Sequence, residues 1–140
     1  MLKKNLIPIL AGTFTGSVAS IASVLVLCRL FGLSDELTAS LIPKSVTTPI
    51  AMEISKQQGG IVPITVAAVI VTGIFGAVLA PIFIRIFRVK NPVEAGIAIG
   101  TCSHALGTSK ALELGEVEGA MSGIAIGVAG IITVILTMFL

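Results

Sequence analysis

Residues Gln57–Ile84 read QQGGIVPITVAAVIVTGIFGAVLAPIFI and contain no Asp, Glu, Lys, Arg or His. A helix needs about 20 apolar residues to cross roughly 30 Å of hydrocarbon, so this stretch is long enough to span a membrane. It ends on Arg85, Arg88 and Lys90. Two further stretches share its character, Asn5–Cys28 and Gly119–Leu140, neither with a charged residue. The composition agrees: 55% of residues are hydrophobic and 11% charged, where soluble domains are about a quarter charged. The mean hydropathy is +1.10. The expected fold is therefore an all-α integral membrane protein with about three transmembrane helices. Lys3 and Lys4 precede the first apolar run as they would in a signal peptide. That run exceeds the usual 7–15 residues of such a signal and further spans follow it, so it reads as a retained helix.

The same composition excludes several functions. A net charge of +2 with no Trp or Tyr leaves no basic patch interleaved with aromatics, and nucleic-acid binding is not expected. Cys28 and Cys102 lack the spacing of a disulfide framework or metal site and read as small buried apolar side chains. No metal or cofactor is expected. Metalloprotease, nucleophile-elbow and phosphate-loop signatures are absent, so an enzyme is not expected either. Ser103 and His104 are adjacent, and adjacent residues on a helix do not face each other as nucleophile and base.

Between the spans lie two polar segments. Ser34-Asp35-Glu36 starts a helix, with Ser34 as N-cap and acids in its first turn. Pro43 and Pro49 then bracket Lys44-Ser45-Val46-Thr47-Thr48, and two prolines so placed cannot belong to one unbroken helix. Helix resumes from about Thr48 and stops at Gly59-Gly60. In the second segment Asn91-Pro92 opens a helix. The run Gly100-Thr101-Cys102-Ser103-His104-Ala105-Leu106-Gly107-Thr108-Ser109 is expected to break it, with helix restarting through Lys110 to Glu118.

Sliding the chain by 60 positions sets Thr48 on Thr108, Ala51 on Ala111, Glu53 on Glu113, Gly59 on Gly119 and Lys44 on His104. This predicts a single membrane domain over 1–140 with an internal repeat: repeat 1 at about 6–60, repeat 2 at about 61–118, and a final transmembrane helix at about 119–140. Lys and Arg concentrate on cytoplasmic ends, so Lys3-Lys4 and Arg85/Arg88/Lys90 are both expected inside. Residues 34–60 then begin and end outside as a re-entrant hairpin, and residues 91–117 do the same from inside. Limbs of about ten residues reach roughly 15 Å, enough for mid-membrane. The alternative is that each segment crosses once as a discontinuous helix. Paired hairpins in an inverted repeat are an arrangement of secondary transporters.

Irregular backbone at membrane depth is tolerated only where protein buries it or where it lines a watery cavity. The candidate substrate-binding residues are therefore those of the two breaks: Lys44, Ser45, Thr47, Thr48, Thr101, Ser103, His104, Gly107, Thr108 and Ser109. Restarting helices aim unpaired N–H groups and positive dipole ends into the gap, which suits a small anion. A lysine at the bilayer centre costs on the order of 2.5–3.5 kcal/mol, and function is the default account of that cost. Lys44 is expected to supply counter-charge to a carboxylate, and His104 to carry a co-transported proton. The plainer alternatives are a snorkelling Lys44 and a His104 that hydrogen-bonds between helices. Glu53 and Glu113 are expected near water, and Lys110 is spaced to pair with Glu113.

The stretches Pro43–Ala51 and Gly100–Thr108 resemble the two signature segments of the LrgB/CidB family, and the resemblance extends over essentially the whole chain. Family members carry further amino-terminal helices, so the chain resembles the carboxy-terminal part of a member. Cys102 stands where the family usually has a small residue. The resemblance implies a multi-pass protein of the bacterial inner (plasma) membrane, with the lipid bilayer, a small LrgA/CidA-type membrane protein and further copies of itself as partners. It also implies one of two functions. Members similar to the plastidial glycolate/glycerate translocator and to bacterial pyruvate systems move small monocarboxylates. Others are antiholin-like modulators of murein hydrolase activity and cell lysis. Helix ends suited to an anion side with transport.

Overall fold

A computed structural model describes residues 3–140. After a short turn at Lys3–Asn5, the described chain forms six helices: α1 (Leu6–Leu30), α2 (Asp35–Leu41), α3 (Thr48–Gln57), α4 (Val62–Ile86), α5 (Pro92–Leu114) and α6 (Glu116–Thr137). Three of them, α1, α4 and α6, are long and apolar enough to cross a membrane. Their outer faces carry large apolar side chains such as Phe14, Phe75 and Ile131.

Clusters at the two ends of the bundle give the helix directions. Ile9 near the start of α1 packs with Met121 and Ala125 near the start of α6. Val24 and Cys28 near the end of α1 gather with Ile42 and Leu136. Helices α1 and α6 therefore run parallel. The first turns of α4 meet α2 and α3 beside the end of α1, so α4 runs the other way.

Segment 34–60 turns back on itself. Ser34 caps α2 by accepting from the Leu37 N–H (3.3 Å), and Asp35 and Glu36 occupy the positive end of its dipole. Pro49 sits in the first turn of α3, where its missing N–H costs nothing. Both limbs are tied to α4: the Ile61 N–H donates to Ser40 Oγ (2.7 Å), and Thr65 Oγ1 donates to Ser40 O (2.9 Å) and lies 2.7 Å from Ser55 Oγ. Ser40, Ser55 and Thr65 are fully buried, and they hold the hairpin's open end at the start of α4. Gly59, with φ +75°, makes the tight exit from α3.

Segment 91–115 also doubles back, at the opposite end of α4. Asn91 Oδ1 accepts from the Val93 N–H (3.0 Å). The outgoing limb lies on α6 through Gly100, where a Cβ would sit 2.3 Å from Ser122 O. The returning limb brings Ala111 back against Ile99 and Ala80, near the end of α4. The break is confined to His104 (φ 42°, ψ −138°), close to the first central residue of a type II′ turn, where glycine is usual. The expected irregularity across Gly100–Ser109 is thus narrower than its composition suggests. Its hydroxyls bond back to carbonyls four residues earlier, Thr101 to Ile97 O, Thr108 to His104 O and Ser109 to Ala105 O, which keeps both limbs helical. The final span begins at Glu116 rather than Gly119, with Glu116 and Glu118 in its first turn. Cys28 is buried as expected, whereas Cys102 is exposed.

Candidate functional site

The tips of the two hairpins come together between α1 and α6. A cavity of about 10 Å³, on the order of one water, is walled there by Ser17 and Ser20 of α1, Ser45 of the first tip, Thr101 of the second and Thr133 of α6, with Ile21, Ile42 and Val46 as its apolar part. Ser20 Oγ and Ser45 Oγ are hydrogen-bonded at 2.7 Å, and Lys44 Nζ donates to Ser45 Oγ at 3.3 Å. Lys44 is half-buried. The one ion pair among the described residues joins Lys110 to Glu113, so Lys44 has no carboxylate partner among them.

The other sequence-derived residues separate by face. Thr47 and Thr48 stand half-buried at the start of α3, and Thr47 caps that helix without a side-chain hydrogen bond. The α3 N-terminus therefore opens at the first tip. Ser103 is buried against Gly76 of α4, and Gly107 packs on Ser103 from behind. His104 also faces α4, its Nε2 lying 2.8 Å from Val69 O. A bond to a carbonyl oxygen requires that nitrogen to carry the proton. Gly73 makes room for the ring, since a Cβ there would be 2.6 Å from His104 Cε1. Thr108 faces α6 through Ser122 Oγ (2.7 Å), and Ser109 is exposed.

Ser45 and Thr101 thus meet at one cavity, with Lys44 attached to its wall through Ser45, and Ser103, His104, Thr108 and Ser109 point elsewhere. Sequence reasoning missed Ser17, Ser20 and Thr133. The available signal was the recurrence of hydroxyls, Thr13, Ser17 and Ser20, at spacings of three to four on an otherwise apolar helix, which marks an inward face.

These features define a multi-pass, all-helical membrane protein whose two polar, broken segments converge on a hydroxyl-lined point within the bundle. The model of the LrgB-like family matches residues 1–140, and the chain belongs to that family. It is 41% identical to the antiholin-like protein LrgB of Bacillus mycoides (strain KBAB4) and to that of Bacillus cereus (strain B4264), over 96% of this chain and 58% of each relative. It is 38% identical to YxaC of Bacillus subtilis (strain 168), over 94% of this chain and 57% of the relative. The chain therefore spans a little under three fifths of the length of these curated relatives. No solved structure matches it.

Proposed function

We propose that this chain forms the substrate-binding part of a carrier for small monocarboxylates in the bacterial inner membrane. One observation carries this: a half-buried ammonium, Lys44, without a carboxylate partner among the described residues, donates to Ser45, which walls a cavity with four other hydroxyls at the hairpin tips. An ammonium kept there at a cost of a few kcal/mol is explained if an anion supplies its counter-charge. The α3 N-terminus at the same tip adds N–H donors and positive dipole. Hairpins at opposite ends of α4 suit an inverted repeat with alternating access to a midplane site. A cavity of about 10 Å³ holds no carboxylate, so substrate entry requires the tips to part, and the structure corresponds to a closed state. In this account Ser45, Thr47, Thr48 and Thr101 bind with Lys44, while Ser103, His104, Gly107, Thr108 and Ser109 shape the second tip. Coupling to a proton would use His104, whose Nδ1 has no partner among the described residues. The carrier acts as a homo-oligomer with an LrgA/CidA-type partner.

The second reading is an antiholin-like modulator of murein hydrolase activity and lysis acting with that partner. The printed names of the LrgB relatives favour it. Uptake of labelled pyruvate, glycolate and acetate by cells lacking their own carriers, with and without the partner, separates the two. Saturable uptake that Lys44→Ala abolishes supports the carrier, with loss of pH dependence in His104→Ala supporting the proton role. Correct insertion without any uptake supports the modulator.

A further inference from the structure

Ser and Thr inside helices ordinarily satisfy their hydroxyl by donating to the carbonyl one turn back. Most buried helical hydroxyls of this chain follow that rule or find another side chain: Thr13 donates to Ile9 O (2.6 Å), Ser40 to Glu36 O (2.6 Å), Thr101 to Ile97 O (2.7 Å), and Ser122 pairs with Thr108 (2.7 Å). Ser17, Ser103 and Thr133 do not; Ser103 faces Gly76 of α4, away from the hairpin-tip cavity, and the other two remain. Each is only 4% exposed, each lines the cavity at the hairpin tips, and neither has a hydrogen-bond partner among the described residues. Their oxygens are not sealed in, since the one sealed and unpartnered side-chain N or O among the described residues is Gln58 Oε1; on the lining of one cavity they are reachable hydroxyls with donors free for an occupant.

The charge around the cavity selects that occupant. Lys44 Nζ donates to Ser45 Oγ, which is bonded to Ser20 Oγ, so a positive charge stands one residue from the cavity wall. No Asp or Glu lines the cavity. A cation would be repelled there, and free O–H donors beside an ammonium suit an anionic oxygen. Thr101 already spends its proton on Ile97 O, and the Ser20–Ser45 bond spends one of that pair's two, whereas Ser17 and Thr133 have spent neither of theirs.

We infer that Ser17 of α1 and Thr133 of α6 are substrate-binding residues, donating hydrogen bonds to an oxygen of the bound monocarboxylate when the hairpin tips part. This rests on the carrier reading and extends its site from the broken segments to two of the spanning helices. Those two helices run parallel and flank the tips, so they would hold the anion from fixed walls while the tips move.

The test is saturable uptake of labelled pyruvate by the full chain, compared at equal amounts of inserted protein. Ser17→Ala and Thr133→Val each delete a donor with little change in volume. Each is expected to raise KM about tenfold or more, the size of effect of losing a hydrogen bond to a charged group, while the maximal rate stays near the parent's. Thr133→Ser keeps the hydroxyl and is expected to keep the parent KM. Thr13→Val deletes a neighbouring buried hydroxyl that is already satisfied, and is expected to leave KM unchanged. If Ser17→Ala and Thr133→Val both retain the parent KM, the cavity holds a structural water only and the assignment is overturned. It is equally overturned if Thr13→Val raises KM as much as they do. An absence of saturable uptake in the parent refutes the carrier reading itself, whereas parent uptake indifferent to Ser17 and Thr133 refutes this assignment alone.

Discussion

Replacing Gly100 by Ala tests the seat of the second hairpin. A Cβ at this position would stand 2.3 Å from Ser122 O and 2.9 Å from both Ser122 C and Cα. These are main-chain atoms of α6 and cannot rotate aside as a side chain does. Restoring an ordinary contact moves the outgoing limb of α5 off α6 by roughly 1 Å, and overpacking of this kind costs about 1–3 kcal/mol. Ala is also a better helix former than Gly by roughly 1 kcal/mol, which partly offsets the clash. Gly123→Ala provides the reference, because a Cβ there meets nothing within 4 Å. Both substitutions gain the same propensity, so their difference isolates the clash. Gly100→Ala is expected to be less stable than Gly123→Ala by about 1–3 kcal/mol, read as a separation of several degrees in thermal unfolding of the purified protein in detergent. Equal stability, or a more stable Gly100→Ala, would refute the close packing of α5 on α6. The shift also carries Thr101 away from the cavity, so uptake should fall with stability.

Two further outcomes follow from the packing. Ser40→Ala removes the fully buried acceptor of the Ile61 N–H and should cost about 1 kcal/mol or more; unfolding in detergent unchanged from the parent would mean the first hairpin is not anchored at α4 in this way. Brief treatment of the solubilised protein with a small maleimide should modify the exposed Cys102 and spare the buried Cys28, and mass spectrometry showing an adduct on Cys28 first would contradict the placement of both thiols.

The spans and the hairpins were legible because their causes are local. Charge-free runs of sufficient length mark α1, α4 and α6, and the Pro43/Pro49 bracket marks the first turn by removing N–H groups. Asn91-Pro92 marks the start of α5 by the same chemistry that the structure shows. The extent of the second break was not legible, because hydroxyl residues that favour loops in isolation can also bond back to their own helix, as Thr101, Thr108 and Ser109 do. The site was legible in part. Lys44 announces itself as a charge among apolar residues. The 60-residue register that sets Lys44 on His104 does not bring them to one face, since Lys44 turns to Ser45 and His104 to Val69 O. Ser17 and Thr133 were hidden because a hydroxyl on a spanning helix reads as ordinary packing until a cavity and an unused donor distinguish it.

The meeting of the two tips at one cavity is the claim on which the rest depends, and thiol bridging measures it directly. With Cys28→Ala and Cys102→Ala removing the native thiols, Ser45→Cys and Thr101→Cys place one cysteine on each tip, at residues that wall the same cavity of about 10 Å³. Mercuric ion at one equivalent per chain is expected to bridge the pair within one chain in native membranes, so that both thiols stay protected when the protein is then unfolded and alkylated, while the thiol of either single-cysteine protein is alkylated after the same treatment and a thiol wash. Full alkylation of the double-cysteine protein after mercuric treatment would show that the tips do not meet, and would remove the geometric basis of the proposed anion site.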